Sequence, residues 1–231
     1  LYYFIACTFV TRFEKRICQR ENMKKYVIIW DWDNTLADTK KAVLEGIKDV
    51  ARHFNLPDIT EADLKNVMTE HRGKFWQRSF GDDLMVGINY YIAAYPKYAH
   101  LVELFDATVQ TLDYIQERKI PQIILSNKAH QNLEREVGQS GIASYFARIV
   151  GSDEIRGGKP ALEFARYALK GIDYDDIILI GDGLSDMLMA EVLGAVSICI
   201  GDNVPEGTAY DFKANTMQDV LPILKRILKD A

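Results

Sequence analysis

The sequence predicts an α/β fold, a doubly wound (Rossmann-like) parallel sheet core with an inserted all-helical cap domain. Three observations predict it. Short apolar runs rich in β-branched residues, among them Tyr26 to Trp30, Ile123 to Leu125 and Ile177 to Ile180, read as buried strands. Helical patterns separate these runs, and such alternation implies right-handed crossovers and a parallel sheet covered on both faces. One long stretch, residues 38–105, shows helical periodicity only and interrupts the alternation directly after the first strand.

The expected organisation is a core of residues 23–37 and 106–231 with a helical cap of residues 38–105. Residues 1–22 stand outside both. They open on an apolar run, Leu1 to Val10, and the basic residues Arg12, Lys15 and Arg16 follow it. A secretory signal has the reverse order, and the run is too short to span a bilayer. Met23 is the expected natural start, with residues 1–22 an upstream extension or a disordered tail; a short membrane or partner anchor is the alternative.

Taken in order, Thr39 to Phe54 is expected as a helix with Val43, Ile47, Val50 and Phe54 on one face. Thr60 to Asp63 resembles a capping box. His71 to Lys74 reads as a turn. Asp82 or Asp83 can cap a helix carrying Leu84, Ile88, Tyr91, Ile92 and Tyr95, which Pro96 ends. Thr108 to Arg118 is amphipathic through Val109, Leu112 and Ile115. A helix through Leu133 to Val137 is expected to stop at Gly138. Arg148 to Val150 reads as a short strand, and Pro160 as the first residue of the next helix. Ser185 to Leu193 reads as a helix, Val196 to Ile200 as a strand and Leu221 to Leu228 as a closing helix.

Composition narrows the function. Hydrophobic residues make up 48% and charged residues 26% of the 231, which is ordinary for a soluble globular chain. A formal net charge of -5 argues against nonspecific nucleic-acid binding. Cys7, Cys18 and Cys199 are too few and scattered for a disulfide framework or a zinc site, and suit reduced thiols in a cytoplasmic protein. No membrane or nucleic-acid partner is expected. A monomer and a homodimer both fit, since Tyr90, Tyr91, Tyr95 and Tyr98 suit a dimer face or the interior of the cap.

The first strand ends in Asp31-Trp32-Asp33-Asn34-Thr35. Ligands of open parallel sheets bind beyond the carboxyl ends of the strands. Two carboxylates placed there repel each other unless a hard cation such as Mg²⁺ joins them. A solvated turn is the plainer alternative. An EF-hand loop is excluded, because Leu36 replaces its glycine and Ala42 its final glutamate. Later strand ends carry Ser126 and Asn127, then Lys159, then Asp182 and Asp186. Each alone is ordinary turn chemistry. Together they supply a metal site, oxyanion donors and one cation, the parts that phosphoryl transfer needs.

With these residues in that order, the chain resembles the haloacid dehalogenase superfamily, in its phosphoglycolate phosphatase-like branch with a helical cap after the first motif. The matching segments are Asp31 to Thr35, Ser126-Asn127, Lys159-Pro160 and Gly181 to Asp186. The resemblance implies an Mg²⁺-dependent phosphatase acting on a small phosphorylated metabolite. Asp31 is then the nucleophile, and Asp33 the general acid and later the base. The metal falls to the Asp31 carboxylate, the Asp33 main-chain carbonyl and Asp182, with Asp186 supporting. Thr35 orients the loop, Ser126 and Asn127 bind the phosphoryl group, and Lys159 offsets charge. In the superfamily's dehalogenases the position of Asp33 resembles a tyrosine, so an aspartate favours phosphate chemistry.

A β-phosphoglucomutase-type phosphomutase shares every one of these motifs and is the nearest alternative. A receiver-type phospho-accepting domain fits less well, because its acceptor lies on a later strand and it needs no cap. No stretch fits a P-loop. In the cap, His71, Arg72, Lys74 and Arg78 form a basic cluster. Arg72 and Lys74 are candidates for binding the substrate's non-transferred anionic end, against a solvated helix end. Phe75 and Trp76 are expected as cap core rather than as a substrate platform.

Overall fold

The structure, a computed structural model, describes residues 24–57, 59, 72–154 and 157–229. The leading segment, the Thr60 to Asp63 capping box and His71 lie outside them, as do the side chains of Arg72 and Lys74.

Strand β1 (Tyr26–Trp30) forms where five apolar residues run together, and its last four are buried. A strand buried on both faces needs apolar side chains at both parities. Val27 and Ile29 pack on one face with Ile123, Leu125, Ile177 and Leu179. Ile28 and Trp30 pack on the other with Ile124, Ile178 and Ile180. Each aliphatic side chain so buried contributes about 1.5–3 kcal/mol.

After β1 come β2 (Ala37–Asp38), α1 (Lys40–His53), α2 (Arg72–Phe80), α3 (Leu84–Ala94), β3 (Glu103–Leu104), α4 (Thr108–Glu117) and β4 (Gln122–Ser126). The chain continues with α5 (His130–Gln139), β5 (Arg148–Gly151), α6 (Leu162–Leu169), β6 (Asp176–Gly181), α7 (Leu184–Leu193), β7 (Val196–Ile200), β8 (Phe212–Ala214) and α8 (Met217–Ile227). The main sheet has the order β5-β4-β1-β6-β7-β8, and every pair in it is parallel. Chain order runs outward from β1 in both directions, so β1 lies at the topological switch point.

Helices α1 to α3 and the 3-10 segment Tyr95–Leu101 share a separate apolar cluster built on Val43, Ile47, Phe75, Trp76 and Tyr95. Tyr90, Tyr91 and Tyr98 pack against that cluster, so the tyrosine set lies largely within the helical block. The block was expected to contain no strand, but β2 and β3 pair antiparallel, with Ala37 opposite Leu104 and Asp38 opposite Glu103. This two-residue ribbon joins the points where the chain enters and leaves the block. Strands so short leave no periodicity to read.

Other expectations shift by a turn or a face. The segment expected as a turn at Arg72 to Lys74 opens α2, whose apolar residues Phe75, Trp76 and Phe80 join the block's core. Asp83 sits at the N-cap of α3 without a side-chain bond. Val109 is 44% exposed; Thr108 and Thr111 take the buried face of α4, donating to the carbonyls of Leu36 and Ala107. Gly138 lies inside α5, and the chain turns instead at Gly141, φ 73°. Pro160 lies in a turn ahead of Ala161, the N-cap of α6. Helix α8 starts earlier than Leu221, at Met217, because a Thr216–Asp219 capping box satisfies its first turn, and it carries Pro222 within it. Strand β8 was not expected. No helix among the described residues is long and apolar enough to cross a membrane.

Gly151, the last residue of β5, lies against the start of α5. A Cβ there would stand 2.4 Å from the main-chain nitrogen and Cα of His130. Gly151→Ala should cost about 1–3 kcal/mol of stability, the usual range for overpacking against a rigid neighbour. Urea denaturation measures it.

Candidate active site

The site begins where β1 stops. The Asp31 N–H makes a last ladder bond to the Ile180 carbonyl at 2.9 Å, and the chain then folds back on itself. The Trp32 carbonyl accepts the N–H groups of Leu36 and Ala37 at 3.1 and 3.2 Å. Asn34 takes φ 57°, a left-handed conformation that asparagine tolerates better than most residues. Alternation continues through the turn. Trp32 is buried in the core, while Asp31 and Asp33 line a cavity of about 440 Å³ with Ser126, Asn127, Lys159, Asp182 and Asp186.

Three strand ends therefore converge with the Lys159 turn. Carboxylate oxygens of Asp31, Asp182 and Asp186 lie within 4.8 Å of one another, and all three residues are buried. Lys159 Nζ lies 2.5 Å from both Asp31 Oδ1 and Asp186 Oδ1. Asp186 is pulled in by the Gly183 N–H at 3.0 Å and by the bare Cα of Gly181, where a Cβ would stand 2.3 Å from its Cγ. Asn203 Nδ2 donates to Asp182 Oδ2 at 2.7 Å. Asn127 Oδ1 accepts the Lys159 N–H at 2.7 Å, which leaves its amide hydrogens for other acceptors.

Electrostatics follow from this crowding. Burial raises the Asp31 carboxyl well above the ordinary range; Lys159 opposes the shift, and Asp186, Asp182 and Asp33 add to it. Burial and then Asp186 push Asp182 up to about 7. Burial would lower Lys159, but Asp186 and Asp31 together raise it, so it stays charged. One ammonium cannot neutralise three carboxylates. A divalent cation on Asp31, Asp182 and Asp186 would, and the all-oxygen donor set is the kind that hard cations take.

Asp33 belongs to a second network. Its Oδ1 accepts the Thr39 hydroxyl at 2.6 Å and lies 2.9 Å from Lys128 Nζ. Lys128 also pairs with buried Glu136 at 2.5 Å and donates to the Tyr95 hydroxyl at 3.2 Å. The Trp32 indole N–H donates to the same Glu136 oxygen at 2.5 Å. Thr39 holds the N-cap position of α1 yet makes no cap bond, since its hydroxyl is committed to Asp33. Thr35 is fully buried outside the cavity lining, with a hydroxyl that has no hydrogen-bond partner among the described residues.

A family model for haloacid dehalogenase-like hydrolases matches residues 28–200, from β1 to the end of β7. The chain belongs to the haloacid dehalogenase-like hydrolase family. Among curated relatives it is similar to pyrophosphatase PpaX of Bacillus mycoides, at 22% identity over 89% of this chain and 99% of the relative. It is also similar to phosphoglycolate phosphatase of Chromobacterium violaceum, at 19% identity over 86% and 96%. Among solved structures, a haloacid dehalogenase-like hydrolase from Streptococcus pneumoniae shares the fold with a TM-score of 0.74, at 19% identity over 87% of this chain and 99% of that one.

In this haloacid dehalogenase-like hydrolase, the acids, amide and lysine named from sequence lie together, with Thr35 beside them but off the cavity. Sequence reasoning missed Lys128, Glu136, Thr39 and Asn203. Signals existed for two of them. Lys128 directly follows the Ser126-Asn127 strand end, and Glu136 sits on the buried face of α5 between Leu133 and Val137.

Lys159→Met would leave Asp31 and Asp186 buried without a cation. Carboxyls whose folded pKa is raised contribute stability that is present below their ordinary range and lost as the pH climbs through the folded value. In a chelator, the variant should lose about 3–5 kcal/mol near pH 8 and clearly less near pH 5. Urea melts at the two pH values check it.

Proposed function

We propose that this hydrolase is an Mg²⁺-dependent phosphatase acting on a small phosphorylated metabolite through an aspartyl-phosphate. The carrying observation is the meeting of Asp31, Asp182 and Asp186 around Lys159, on one cavity with Asp33, Ser126 and Asn127. A phosphoester needs a nucleophile, an acid for the leaving oxygen and positive charge around the phosphoryl oxygens, and these residues supply them. The relatives named as a pyrophosphatase and a phosphoglycolate phosphatase support the reaction class.

In this reading an Asp31 oxygen forms the new bond to phosphorus as the ester P–O bond breaks, and Asp33 gives its proton to the departing oxygen. Asp33 then takes a proton from water as that water attacks phosphorus, which releases phosphate and restores the Asp31 carboxylate. Thr39 and Lys128 hold Asp33 Oδ1 in place for both transfers. Asn127 offers amide hydrogens and Ser126 a hydroxyl to the phosphoryl oxygens, and Lys159 keeps a positive charge beside Asp31. Mg²⁺ would be held by the carboxylates of Asp31 and Asp182 and the Asp33 carbonyl, with Asp186 behind them. It supplies charge neutralisation for the dianionic ester. The helical block, joined to the core by the β2–β3 ribbon, serves as the cap that shuts water out.

Phosphate release should require both Mg²⁺ and Asp31. Asp31→Asn should lower turnover by about a thousandfold or more. Turnover that survives Asp31→Asn would sink the reading. Cation binding should also show in stability. With Asp182 raised to about 7, protons compete for the site in acid, so added Mg²⁺ should raise Tm more near pH 8 than near pH 5.5. Thermal denaturation at both pH values, with and without Mg²⁺, measures this.

A further inference from the structure

A second cavity, of about 330 Å³, adjoins the first and shares Asp33 and Asn127 with it. It lies between the helical block and the core, with residues of both in its lining. Its walls are chiefly apolar and aromatic, with Trp76, Ile88, Tyr91, Ile92 and Tyr95 prominent. At this size it stands near the small end of ligand cavities.

Its charges are those of Asp33, Asp153 and Lys128, among the described residues. Lys128 is already engaged by Asp33, Glu136 and the Tyr95 hydroxyl. Asp153 accepts the His130 main-chain N–H at 2.6 Å. A carboxylate or second phosphate entering here meets two acids and a cation already neutralised, so it is desolvated without compensation. The walls favour a neutral apolar body. One polar handle remains. Asn132 is 3% exposed; its Nδ2 donates to the Ile92 carbonyl at 3.1 Å, and its Oδ1 has no partner among the described residues.

We infer that the leaving group of this enzyme's substrate is uncharged, with an apolar ring or chain seated among Trp76, Ile88, Tyr91 and Tyr95 and a hydrogen-bond donor turned to Asn132. The inference rests on the phosphatase reading and sets aside a substrate with an anionic tail, as phosphoglycolate and pyrophosphate have.

The test separates the two claims. Calorimetry on the Mg²⁺-loaded Asp31→Asn full-length chain reads the cavity without turnover, using phenyl phosphate and 2-phosphoglycolate as probes. Phenyl phosphate should bind at least about tenfold more tightly, the scale of a well-filled apolar pocket. Trp76→Ala in that background should erase most of the preference. Ile88→Lys, a half-buried position where a new ammonium can be accommodated, should reverse it by adding a cation that, unlike Lys128, is not already held by Asp33 and Glu136. Equal or tighter binding of phosphoglycolate in the parent overturns the inference, as does an unchanged preference in Ile88→Lys. Phosphate release by the wild type from acetyl phosphate, whose leaving group is only a small acetate that does not fill the apolar cavity, tests the chemistry separately. Release there with the wrong binding preference removes this inference alone, and the right preference without release removes the phosphatase reading alone.

Discussion

The structure depends on one ammonium held between two buried carboxylates. Lys159 Nζ touches Asp31 at the end of β1 and Asp186 in α7, at 2.5 Å each. Bringing these acids out of water is unfavourable in itself, and a single cation offsets only part of it. Several local choices serve this contact. Gly181 has no Cβ where one would strike Asp186, the Gly183 N–H faces that carboxylate, and Asn127 holds the main chain at Lys159. The parallel sheet supplies the setting, because it delivers the ends of β1, β4 and β6 to the same edge. The remaining negative charge is what the proposed divalent cation would offset, and phosphate would bind with it.

Asp33 is governed by different neighbours. Residues 30 to 33 alternate between core and cavity, so Trp32 points inward as Asp31 and Asp33 point out. Trp32 then meets Glu136, Glu136 holds Lys128, and Lys128 returns to Asp33. Burial raises the Glu136 carboxyl and Lys128 pulls it back, so the pair compensates itself deep in the protein. Tyr95 carries this network into the helical block. The group proposed to move protons is thus positioned by the interface between block and core, while Asp31, the proposed nucleophile, is positioned by the end of β1 and by Lys159.

The difference explains what could be read from the residues. Strands β1, β4, β6 and β7 are continuous apolar runs, and a run that ends in acids or in Ser-Asn announces both a strand and a site. Strands β2 and β3 have two residues each and β8 has three, so their pairing is settled by neighbours far along the chain. Helix α4 shows the same limit: Val109 fits the helical period, but Thr108 is the residue whose hydroxyl reaches the Leu36 carbonyl, and it wins the buried face. Asp31, Asp182 and Lys159 were legible because acids at strand ends and a Lys-Pro ahead of a helix form a recognisable order, although Lys159 lies in a turn well beyond the end of β5 rather than at a strand end. Lys128 and Glu136 left only faint signals, a place just after a strand end and a place on a buried helix face, and their role emerges when the fold brings them to Asp33 and Trp32.

Two cavities meet at Asp33 and Asn127, and in the proposed reading they would divide the work of a phosphoryl-transfer site. The polar one is built from strand ends, where backbone geometry leaves little freedom, and its contents suit the phosphoryl group that all such substrates share. The apolar one is walled largely by α1 to α3 and the segment around Tyr95, where a change of side chain alters shape without disturbing the sheet. Relatives at about one-fifth identity can therefore keep the first and differ in the second. The charge balance ties the two together. Lys128 is engaged by Asp33 and Glu136, so in the reading proposed above the contact that positions the proton donor also narrows the substrates that the neighbouring cavity would accept.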